Sequence, residues 1–151
     1  MRDNALLLMD AQDEVNLSST GVISDYYCDM EVDSAAGALL TDDQVQGYMN
    51  VVITAIDYTS GGTEGLVLEV RNGDNSNLST SAEVIGVQDV PLAKVVAGAQ
   101  FSVPFRRDVA EKYLGGWVRA KSTTYTGTVT FDAEFSDTPF SENESLQKVP
   151  A

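Results

Sequence analysis

Apolar and polar residues alternate strictly near the end of the chain. Val129, Phe131, Ala133 and Phe135 fall on one side, and Thr130, Asp132 and Glu134 on the other. Successive side chains of an extended backbone leave it in opposite directions, so a period of two predicts a strand with one buried and one wetted face. Tyr48–Tyr58 differs in being apolar on both sides, Met49, Val51, Ile53 and Ala55 against Val52 and Ile56. That predicts a central strand covered on both faces over part of its length. After the loop Thr59–Gly65, the segment Leu66–Arg71 turns Leu66, Leu68 and Val70 inward, and the two segments read as neighbouring antiparallel strands. Val22–Met30, Glu83–Val87, Val90–Val96, Gln100–Phe105 and Leu114–Ser122 are further short strands, with Phe101, Val103 and Phe105 on an inner face.

Turn residues punctuate these segments at Ser18–Gly21, Asn72–Asn77 and Ala97-Gly98. Ser34–Asp43 is rich in small residues and reads as a loop or a helical turn. Asp108-Val-Ala-Glu111 has the spacing of an N-cap with a carboxylate three residues on, which predicts one or two helical turns up to Tyr113. No long helical period occurs. The fold class expected is all-β, an antiparallel jelly-roll sandwich with at most one or two short helical turns. A chain of 151 residues suits one domain. Residues 1–10 read as an N-terminal arm, 11–135 as the jelly-roll domain, and 136–151 as a polar C-terminal tail that is extended or disordered.

Charge narrows the partners. With 23 acidic and 9 basic side chains the net charge is −14, which repels nucleic-acid backbones and anionic membranes at long range. Neither is expected as a partner. Six of the cations, Lys94, Arg106, Arg107, Lys112, Arg119 and Lys121, lie within one stretch. They serve either as local partners of nearby carboxylates or as a contact with another protein. Ala5–Met9 is too short for the core of a secretion signal, and nothing approaches the roughly 20 apolar residues of a membrane-spanning helix. Residence in a cytoplasm, or assembly there into something larger, is the expectation.

Chemistry is hard to place. The chain has no histidine, and its single cysteine, Cys28, has no partner for an intramolecular disulfide and reads as a small buried strand residue. Phosphate-cradling glycine loops do not occur, and Asp74–Asn77 lacks the spacing of an EF-hand. No catalytic residue, metal or cofactor is therefore expected. One segment is less bland. Trp117, Arg119 and Lys121 share a face opposite Val118 and Ala120. Trp117 is then either an exposed contact anchor beside two cations, or a core residue re-aimed by a bulge at Gly115-Gly116. Arg106, Arg107, Trp117, Arg119 and Lys121 are the candidate partner-contact residues.

Several short segments, in order, carry a resemblance. They are Leu6–Gln12, Ser19–Ile23, Ala97–Phe101, Pro104, Lys112–Leu114 and Thr126–Thr130. Together they make the chain similar to the capsid cement (decoration) proteins of tailed bacteriophages. The resemblance implies a jelly roll that binds the outside of an icosahedral head, bridging major capsid subunits, with virion localisation after synthesis in the host cytoplasm. The exposed edges of such a fold predict a homo-oligomer, a dimer first and a trimer second. The chain departs from the pattern at Ser24-Asp25-Tyr26, at the polar turn Asn72–Asn77 and in the length of its tail. Two other readings fit the composition: a carbohydrate-binding jelly roll such as a phage receptor-binding module, and a glycosidase relying on carboxylates alone.

Overall fold

The computed structural model describes residues 7–29, 46–60, 64–79, 82–106, 113–122, 124–136 and 138–140. Among these residues eight strands follow one another: β1 (Leu7–Val15), β2 (Val22–Asp29), β3 (Gln46–Ser60), β4 (Leu66–Gly73), β5 (Glu83–Val90), β6 (Gln100–Arg106), β7 (Tyr113–Ala120) and β8 (Thr126–Ser136). They make two four-stranded antiparallel sheets, ordered β1-β8-β3-β6 and β2-β7-β4-β5. The pairings of β1 with β8, β2 with β7, β3 with β6 and β4 with β5 are nested like one long hairpin rolled onto itself. This is the jelly-roll order, and the protein is an all-β jelly-roll sandwich.

The alternation in β8 does what its period predicts. Val129, Phe131, Ala133 and Phe135 enter the core, where they meet Leu66, Leu68 and Val70 of β4 and Leu114 and Val118 of β7 among the residues of one continuous cluster. Phe105 and Phe135 lie with ring centroids 5.3 Å apart in a tilted contact, a geometry aromatic pairs favour. Cys28 of β2 is fully buried. At the rim, the buried Tyr125 donates its hydroxyl to the carbonyl of Glu64 at 2.7 Å and its amide to Leu17, tying two loops to the core.

A buried amide closes one side of the sandwich. Gln12 of β1 donates to the carbonyl of Ile23 at 3.1 Å and accepts the amide of Asp25 at 2.8 Å, so it spans from one sheet to the edge strand of the other. Its neighbourhood is irregular: β1 shifts register twice, and β2 shifts between Ile23 and Tyr27. Ser24 repairs the latter gap, its hydroxyl accepting the Gly116 amide at 3.0 Å and donating to the Tyr26 carbonyl. Such substitutions for main-chain partners keep buried polar groups satisfied where a ladder breaks.

Several expectations need correction. The Tyr48–Tyr58 and Leu66–Arg71 segments are not neighbours. β3 is flanked by β8 and β6, while β4 is flanked by β5 and β7 in the other sheet. Alternation reports which side chains face inward and carries no information about which strand lies beside which. Gly65 marks the crossing, because a Cβ there would stand 1.6 Å from the Val90 carbonyl oxygen. Val90–Val96 is not a strand: Val90 ends β5, Pro91 follows, and Leu92–Lys94 form a 3-10 turn. Proline has no amide to give a ladder, so it stops the strand there. The N-terminal arm is shorter than expected, since Leu7–Asp10 belong to β1 and Leu8 and Met9 are buried. Ser34–Asp43 and the predicted turns over Asp108–Lys112 lie outside the described residues, and Tyr113 already belongs to β7.

Candidate functional site

The outer face of the β2-β7-β4-β5 sheet gathers three of the candidate contact residues. Alternation along β7 sends Trp117, Arg119 and, beyond its end, Lys121 to that face. Alternation along β4 sends Val67, Glu69 and Arg71 there too, opposite the inward Leu66, Leu68 and Val70. The register sets Glu69 between Trp117 and Val87, and Val67 between Arg119 and Asp89.

Trp117 faces outward yet is only 6% exposed. The guanidinium carbon of Arg71 sits 3.6 Å from the ring centroid, a cation–π stack that also covers the indole. On another side Gly21 presses so closely that a Cβ there would lie 2.3 Å from the Trp117 Nε1. Among the described residues that Nε1 finds no acceptor. β7 keeps an unbroken register with β4, so no bulge at Gly115-Gly116 re-aims the indole. Instead Leu78, from the turn after β4, occupies the space above Gly115.

Glu69 is the hub of the face. Its carboxylate accepts from Arg71 Nε and Nη2 at 3.2 and 3.1 Å and, through the other oxygen, from Arg119 Nε at 3.1 Å. Lys121 reaches across to Asp89 at 3.2 Å. The cations here are thus bound to carboxylates of their own sheet, and their alkyl stems lie on a face where Val67 is buried. Arg106 is elsewhere, at the exposed end of β6 in the opposite sheet, paired in register with Gln46. Arg107 lies outside the described residues. The structure therefore divides the basic stretch between two sheets. Glu69 and Arg71 were legible as outward-facing from the β4 alternation, but their meeting with Trp117 depends on β4 lying beside β7.

The opposite sheet carries a recess of about 200 Å³ lined by Asn50, Val52, Asp132, Ala133, Glu134 and Phe140. The start of the tail folds back over this face. Asn50, 3% exposed, donates to the Thr138 carbonyl at 3.0 Å and accepts from Ser102 at 2.8 Å. Ser102 in turn accepts the Phe140 amide at 2.8 Å. Residues 138–140 are thereby clamped to β3 and β6. Asp132 Oδ1 accepts the amide of Ala11 at 2.7 Å and so braces the β1 irregularity.

A third feature is the acidic side formed by β1 and β2, where Asp10, Asp13, Glu14 and Asp25 occur in a stretch, residues 7–29, without lysine or arginine. Burial raises the Glu14 carboxyl above its ordinary 4.5; the hydrogen bond from Gln12 opposes this, and the charges of Asp25 and Asp13 add to it.

No family model matches the chain, and no curated protein does. Solved structures that match include the CBM22-1–GH10 modules of endo-1,4-β-D-xylanase 10B from Clostridium thermocellum, complexed with xylohexaose, at 15% identity and a TM-score of 0.41. The match covers 93% of this chain and 29% of that one.

Proposed function

We propose that this protein is a capsid cement protein, binding the outside of an icosahedral phage head and holding neighbouring major capsid subunits together without enzymatic activity. The observation that carries the reading is the jelly-roll strand order, the fold that the resemblance implies. The resembling segments fall at or just before the strands of this fold. Of these, Leu7–Gln12 lie in β1, Ser19–Ile23 leads into β2, Ala97–Phe101 and Pro104 enter and occupy β6, Tyr113-Leu114 begin β7, and Thr126–Thr130 begins β8. A protein that binds only the assembled lattice stabilises it by mass action and needs no chemistry. Rigid, locally paired outer faces suit that role, since little side-chain entropy is lost on contact.

The test compares particles with and without the protein, heated while DNA release is followed. Cement activity raises the release temperature, and the purified protein binds intact heads at a fixed stoichiometry. Equal release temperatures, together with specific glycan binding by the isolated protein, would overturn the reading in favour of a receptor-binding module.

A further inference from the structure

An open sandwich has four edge strands, among the described residues β1, β6, β2 and β5. Each presents backbone groups to which another strand could add, and natural edges are usually obstructed. β1 is broken by two register shifts and by left-handed backbone at Ala11, φ 50°. β2 is broken between Ile23 and Tyr27. β6 carries Pro104, which lacks an amide. β5 is irregular only near its start, between Val84 and Gly86, and then pairs with β4 without interruption from Gly86 to Val90. Among the described residues it is the least obstructed edge.

β5 also carries exposed apolar side chains. Val84 and Val87 are exposed, Val87 at 55%, and Leu92 and Val96 just beyond the strand are exposed as well. Charge separates this side from the opposite one. Around β5, Glu83 and Asp89 are matched by Lys94 and Lys121, and Asp89 and Lys121 form an ion pair. The β1–β2 side holds Asp10, Asp13, Glu14 and Asp25 with no cation in residues 7–29. A second copy carrying −14 is repelled at the acidic side and tolerated at the balanced one.

We propose that β5 is a self-association strand, along which two copies pair antiparallel about a two-fold axis centred on Val87. The occupant is a second copy because the strand is self-complementary in one register. Centring the axis on Val87 sets Val87 against its twin, Ile85 against the partner copy's acid at position 89, and Glu83 against proline. Centring it on Gly86 sets Glu83 directly opposite Asp89, a like-charge pair that a sheet disfavours. Centring it on Gln88 moves the apolar–acid contact from the partly buried Ile85 to Val87, which is 55% exposed. The Val87 register joins two four-stranded sheets into one and covers the most exposed apolar side chain of the edge. This assignment stands independently of any capsid.

Sedimentation of the isolated full-length chain gives the first readout, and a dimer is expected. Val87→Lys places two ammonium groups across the axis and should raise the dimer dissociation constant at least about tenfold, with the circular dichroism spectrum unchanged. Val87→Cys should cross-link to itself under mild oxidation or with a short bis-maleimide. Val15→Cys, exposed on the acidic side, should not. A monomer at about 100 µM would overturn the proposal, and so would a trimer, undiminished dimerisation of Val87→Lys, or cross-linking at position 15 in place of 87.

Discussion

Glu69→Gln tests whether the charged face of the β2-β7-β4-β5 sheet is a fixed part of the fold. The carboxylate bonds two arginines at 3.1–3.2 Å with its side chain 9% exposed, while Arg71 and Arg119 are 17% and 32% exposed. An exposed ion pair contributes about 0.2–1 kcal/mol, and a hydrogen bond to a charged group about 1.5–3 kcal/mol. The amide keeps the shape and one acceptor but removes the charge, leaving two guanidinium groups facing each other. Their partial access to water limits the penalty, so a loss of about 2–3 kcal/mol is expected. For a domain of this size that lowers the melting temperature by about 4–12 °C. The chain has one tryptophan, and Trp117 lies under Arg71, so its fluorescence reports the same site. Urea titration should show the reduced stability, and native emission should shift to the red as Arg71 loses its anchor. A double-mutant cycle with Arg71→Met, which keeps the apolar cover, should yield a coupling above about 1 kcal/mol. A loss below about 0.5 kcal/mol with unchanged emission would refute the reasoning and reduce the cluster to ordinary surface charge.

Two more predictions follow from the geometry. Glu14 has a raised pKa in the folded state, so its ionisation opposes folding: the cost is absent below the ordinary 4.5 and grows as pH rises through the elevated value. Glu14→Gln should therefore be more stable than the parent at neutral pH and indistinguishable from it in acid, as pH-dependent urea midpoints would reveal; equal midpoints at neutral pH would exclude the effect. Gly65→Ala should destabilise by several times more than Gly98→Ala, because a Cβ at Gly65 meets the Val90 carbonyl at 1.6 Å, whereas at Gly98 it meets open space and costs only the positive φ, about 1–2 kcal/mol. Thermal melts of the two variants settle the order.

The inner faces were readable from alternation because burial acts on each strand separately. Val129 to Phe135, Leu66 to Val70 and Val103 with Phe105 all point where the period of two sends them. Neighbours were not readable. β3 and β4 follow one another in the chain but sit in different sheets, since each is a central strand already held on both sides. Pro91 could have ended β5 on its lack of an amide, and the apolar run around it obscured that stop. The site suffered from the same limit. That Trp117, Arg119 and Lys121 share a face needs only one strand, whereas the burial of Trp117 beneath Arg71 needs two strands and a turn to meet.

The nesting of the strands has a kinetic side. The innermost pair, β4 with β5, is closest in the chain, and each further pair encloses the last, out to β1 with β8. Loop closure favours the near pair first, so zipping should start around the turn after β4 and move outward. β1 leaves the ribosome early but must wait for β8, which follows roughly 6–25 s later at about 5–20 residues per second. During that interval Leu8 and Met9, destined for the core, have no sheet to join. The acidic residues that punctuate β1 and β2 then keep that waiting edge from joining a neighbouring nascent chain.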